Sequence, residues 1–151
     1  MAESEAAKAI AADPSNADAR RFHALTLDDL DRNEDALKEA QRAVELSPMD
    51  PATHLQLAMS AKRNEMERAI LEARRAIELG PENSAAYKFL MSCLLEAHRN
   101  DEAIELAEAQ VAQDFDPLDR VDLGVQVADA DPHLEQVVGQ VLRHLLRQRR
   151  D

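Results

Sequence analysis

Apolar residues recur along this chain at intervals of three and four, the spacing of one face of an α-helix. In "DALKEAQRAVELSP", ending at Pro48, the recurring small positions are Ala36, Ala40 and Ala43. In "RAILEARRAIELGP", ending at Pro81, they are Ala69, Ala73 and Ala76. The two stretches superpose without a gap, and each closes on Leu, one further residue and Pro. A shorter version, "EAAKAIAADP", ends at Pro14 with Ala9 where Ala43 and Ala76 stand, and "DEAIELAEAQVAQDF" opens another at Asp101 with Ala103 and Ala107. Pro14, Pro48 and Pro81 are 34 and 33 residues apart, and Ala36, Ala69 and Ala103 are 33 and 34 apart. A period of this length marks an array of stacked helix pairs.

The stretches between the copies supply the first helix of each pair, predicted over 17–30, 52–63 and 85–97. Polar turns "DRNED", "NE" and "HRND" separate these from the second helices. Asp50 before Pro51 and Asn83 before Ser84 are helix starts, with a capping side chain or a first-turn proline. Alanine at i, i+4 and i+7 lets a neighbouring backbone approach where leucine would block it. Past Phe115, "DPLDRVDLGVQVADA" reads as one more first helix with Leu123 and Gly124 as its large and small residues. The last helix carries Leu134, Val137, Val138, Val141, Leu142 and Leu145 as an apolar stripe. This final pair, 117–151, is expected to cap the array, because an open end exposes apolar surface. At the other end, residues 2–12 form a second helix with no partner before it. That fits either a native end or a piece of a longer chain.

These residues resemble the tetratricopeptide repeat family. Ala24 and Leu27 stand at its small and large places on the first helix, followed by Ala36, Ala40, Ala43 and Pro48 on the second. The next copy supplies Leu57, Ala58, Ala69, Ala73, Ala76 and Pro81, and the third Tyr87, Leu90, Leu94, Ala103 and Ala107. The departures are His23 for a leucine, Met91 for a small residue, Gln110 for an alanine, and one residue fewer before Asn64. The resemblance implies an all-α, right-handed α-α superhelix (solenoid). Its array spans 1–115, built from a half repeat, 1–16, and repeats 17–50, 51–83 and 84–116.

What the family does implies a non-catalytic scaffold or adaptor that holds an extended peptide or helix of a partner protein in a concave groove lined by the first helices. On this sequence the groove positions are Arg21, Leu25 and Asp28, then Leu55, Met59 and Lys62, then Lys88, Ser92 and Leu95. Leu118, Val121 and Val125 continue it as an apolar contact, unless the last helix folds back over them. One branch of the family clamps the C-terminal carboxylate of heat-shock chaperones with a set of Lys, Arg and Asn residues. Here the matching places hold Arg21 with Leu25, Gln56, and Ala85 with Phe89, so one cation survives and that clamp is not expected. Two other readings stay open: a small secretion-type chaperone holding a client soluble, and a regulatory segment of a larger enzyme. Association of copies through the terminal helices is compatible with each.

Composition narrows this further. Hydrophobic residues make up 45% and charged ones 32%, with 3% aromatic and no Trp, so the core is built from Ala, Leu, Ile and Val. The net charge of −12 repels phosphate backbones, which argues against nucleic acid as a partner. The basic end, Arg143, Arg147, Arg149 and Arg150, suits the C-terminus of a last helix. A single cysteine, Cys93, has no partner for an internal disulfide. With no membrane-spanning apolar run and no charged segment leading an apolar one, the cytoplasm is expected. His23, His54, His98, His133 and His144 do not fall at metal-ligand spacing, no Gly-rich phosphate loop is present, and no cofactor is expected.

Overall fold

The computed structural model describes residues 2–112, which form α1 (Ala2–Ala12), α2 (Ala17–Asp29), α3 (Asn33–Leu46), α4 (Pro51–Ala61), α5 (Met66–Leu79), α6 (Ser84–Glu96) and α7 (Asn100–Ala112). No strand occurs among the described residues. The expected capping pair over 117–151, with Leu118, Val121 and Val125, lies outside them, as does the side chain of Gln110. The chain divides into two compact units, Met1–Leu90 and Met91–Asp151, the boundary falling inside α6.

Each first helix starts on a side-chain cap. Asn16 Oδ1 accepts from the Ala19 amide at 2.9 Å, Asp50 Oδ1 from Ala52 at 2.9 Å, and Asn83 Oδ1 from Ala86 at 3.3 Å. Each satisfies one of the amides that a helix start leaves without an internal acceptor. Pro51 occupies the first turn of α4, where its missing N–H costs nothing. The second helices α3 and α5 have no such cap and instead carry Glu34, Asp35 and Glu67 in their first turns, where carboxylates favour the helix dipole.

The turns between paired helices come in two forms. After α2, Asp31 sits at φ 58° and the Arg32 amide donates back to the Leu27 carbonyl at 2.9 Å. After α6, His98 sits at φ 57° and the Arg99 amide donates to Leu94 at 2.8 Å. Both are left-handed closures of a helix end. The copy with one residue fewer before Asn64 turns differently: after α4 the Glu65 amide reaches Ala61 at 2.8 Å without a left-handed residue. The shortening before Asn64 therefore changes the kind of turn and leaves the helix pair intact.

Packing follows the alanines. Ala36, Ala40, Ala43, Ala69, Ala73 and Ala76 are all fully buried. Ala24 of α2, Ala40 of α3 and Leu57 of α4 form one cluster, flanked by Leu37 and Val44. A helix pair and the first helix of the next pair thus share a core, and burying Leu57 alone is worth about 1.5–3 kcal/mol. Close approach recurs at Gly80, where a Cβ would stand 3.1 Å from Pro51 Cγ, so the end of α5 lies against the start of α4. Met91 is accommodated in the core, whereas the Nδ1 of His23 is buried with no hydrogen-bond partner.

Candidate functional site

The face selected by the first-helix spacing begins on α2. Arg21 reaches Asp18 Oδ1 through Nε and a terminal nitrogen at 3.4 and 3.3 Å, and its guanidinium lies 4.3 Å from the Phe22 ring centroid. Leu25, one turn on, is half-buried. Asp28 is held between helices: its Oδ2 accepts from Gln56 Nε2 at 2.9 Å and from Ser60 Oγ at 2.7 Å, both on α4. Burial is the main cause that pushes the Asp28 carboxyl above its ordinary value, and neighbouring Asp29 adds to it. The Ser60 and Gln56 hydrogen bonds oppose that rise. Asp28 therefore serves as a tie between α2 and α4.

On α4, Leu55 is half-buried and Met59 is exposed. Lys62, just past the helix, lies 5.7 Å from the Phe89 ring centroid on α6. Lys88 is half-buried on α6. Ser92 and Leu95 belong to the second unit. Ser92 Oγ donates to Glu96 Oε1 at 2.9 Å, and Leu95 is only 4% exposed. In the first unit Leu25 and Leu55 are thus half-buried and Met59 exposed, with Arg21 on α2 and Lys62 at the end of α4. Among the described residues no group of three or more His, Cys, Asp or Glu is placed to hold a metal ion. No helix there is long and apolar enough to cross a membrane. Cys93 is fully buried in α6.

The spacing argument missed a polar joint that recurs beside this face. Arg20 donates to the Pro14 carbonyl from Nε at 3.1 Å and from a terminal nitrogen at 3.0 Å, and to Glu39 Oε2 at 2.9 Å. One copy later His54 does the same, with Nε2 2.9 Å from the Pro48 carbonyl and Nδ1 2.7 Å from Glu72 Oε2. Both His54 partners are oxygen acceptors, so a ring with hydrogen on each nitrogen satisfies both. The signal was present in the chain: a basic residue six places after Pro14 and after Pro48, and Glu39 aligned with Glu72. In the third copy Tyr87 takes that place, with its hydroxyl pKa raised by burial.

No family model and no curated protein matches the chain. Solved structures do. The chain is similar to MamA at 20% identity, covering 97% of this chain and 88% of that one with a TM-score of 0.66. It is similar to YrrB, a tetratricopeptide repeat protein with an unusual peptide-binding site, at 19% identity, 90% and 74% coverage and a TM-score of 0.64. It is also similar to the TPR2B domain of yeast Sti1 in a pHsp70 complex, at 17% identity, 85% and 97% coverage and a TM-score of 0.61. Helix pairs of this period, seamed by alanine, capped at each first helix and superposable on these structures, give the chain the tetratricopeptide repeat fold.

Proposed function

We propose that this chain is a cytoplasmic protein-interaction scaffold that holds an extended segment of a partner against the first-helix face of α2 and α4. What supports this reading is the exposure of Met59 beside half-buried Leu25 and Leu55 on two helices that share a core, with Arg21 and Lys62 on those same stretches. The buried alanines and the Arg20 and His54 joints hold the helix pairs together beside that face. Lys88, half-buried on α6, extends the proposed surface within the same unit. Peptide binding by YrrB supports the reading by analogy of fold. No catalytic role belongs to it.

The test is capture of partners on immobilised wild type against the double variant Leu55→Asp, Met59→Asp. Met59 is exposed and Leu55 half-buried, so helicity by circular dichroism is expected to persist. Leu95 is a poor choice for the same purpose, because a charge at a buried place tests folding. A partner retained by wild type and lost by the folded double variant supports the face as the binding surface. Equal retention by both would remove it.

A further inference from the structure

The helix pairs obey a register that the first helices expose only once. Six places into α4, Gln56 is buried against Asp28 of α2, the first helix of the preceding pair. Six places into α6, Phe89 is half-buried with Lys62 over its ring. The same place in α2 is Phe22, and it is 53% exposed. A second observation agrees. Ala43 and Ala76 are fully buried, whereas Ala9, their counterpart in α1, is exposed. Both residues border one seat, formed by α1 and α2, that would hold a single additional helix lying antiparallel to α1. The rest of the molecule shows what fills such a seat, because α2 fills it for α3 and α4 fills it for α5.

We propose that the occupant is α1 of a second copy. A two-fold axis perpendicular to α1 generates the antiparallel arrangement the seat requires, and a contact of this kind is reciprocal and closed. Each α1 then occupies the partner's open seat, with Ala9 at the contact and each Phe22 covered by the other copy's helix. Exposed Ala7, Ala9, Ala11 and Ala12 leave α1 slender enough for close approach. Charge agrees as well: Glu5 and Lys8, paired at 2.9 Å at the middle of α1, meet their opposites when two such helices run antiparallel about that point.

Sedimentation equilibrium of the full chain, from low micromolar to about a hundredfold higher concentration, tests this. Wild type is expected to dimerise across that range. Ala9→Glu and Phe22→Ser are expected to weaken the dimer at least tenfold. Both positions are exposed in a single copy, so far-UV helicity should be retained. Leu71→Ser, at an exposed place on α5 far along the chain, should leave the dimer unchanged. A wild type monomeric throughout, or a dimer indifferent to Ala9→Glu and Phe22→Ser, overturns the proposal. A monomer that captures a different protein through Ala9 and Phe22 overturns it too, and assigns the seat to a foreign helix.

Discussion

In the first helix pair a guanidinium closes the joint to the preceding turn, and in the second an imidazole does so. Arg20 and His54 each link a proline carbonyl behind them to a glutamate on the second helix ahead, so one side chain pins three segments. The pairs differ in reserve. Arg20 brings five donors and a permanent charge, while the His54 ring has two nitrogens and both are used. They differ also three residues on, where the first pair places His23 and the second Leu57. Leu57 is in the core with no polar atom to satisfy, and His23 leaves Nδ1 buried at 4.0 Å from Glu39 Oε2, beyond hydrogen-bond reach. The first pair is thus better tied at its edge and less well filled within; the second is the reverse. Stability in such an array is distributed unevenly even where the helices look alike.

The contrast is broken most forcefully at the second joint. His54→Ala should cost about 2–3 kcal/mol, because Glu72 and the Pro48 carbonyl both lose their donor at a buried site. Arg20→Ala should cost about half as much, its glutamate being more open to water. Chemical denaturation of the two variants measures the difference, and equal losses would mean that the joints are equivalent. His23→Leu should move the other way, gaining about 1–2 kcal/mol by removing an unsatisfied nitrogen and copying Leu57; a loss in the same unfolding assay would show that Glu39 needs the ring. Asp31→Gly relieves a left-handed residue of its side chain and should gain about 0.5–1 kcal/mol. Asn64→Gly, in the turn after α4, has no positive φ to relieve and should gain nothing, so thermal melts of the two distinguish turn geometry from general loosening.

The smallest effect concerns the tie between the pairs. Asp28 has its pKa raised above 3.8, chiefly by burial. The folded state therefore holds that proton more tightly than the unfolded chain. This group's contribution favours the fold at low pH and declines as pH rises through the folded value. Asp28→Asn should flatten that part of the stability profile while keeping an oxygen to accept from Gln56 and Ser60. A profile unchanged by the substitution would place the titration elsewhere.

Much of this architecture was legible in the chain. Helix starts at Asp50 and Asn83 and the alanine seams follow from local chemistry and a fixed period, and each is found where expected. The polar joints were not legible, because Arg20 and His54 look like lapses from an apolar pattern until three segments meet around them. Periodicity places Asp28 and Leu95 on a face but says nothing of what lies against it. Asp28 is held by α4 and Leu95 is buried, and both facts depend on neighbouring helices, which no single helix's spacing encodes.

Tyr87 has an optical consequence. The chain contains one tyrosine and no tryptophan, and that tyrosine is 4% exposed within α6. Its ultraviolet absorbance and emission therefore report on the solvation of one helix pair, while far-UV dichroism averages over every helix. Recording both through a single denaturant titration turns a native residue into a layer-specific probe. Coincident curves signify a cooperative block, and an early tyrosine transition signifies fraying that starts in the third pair.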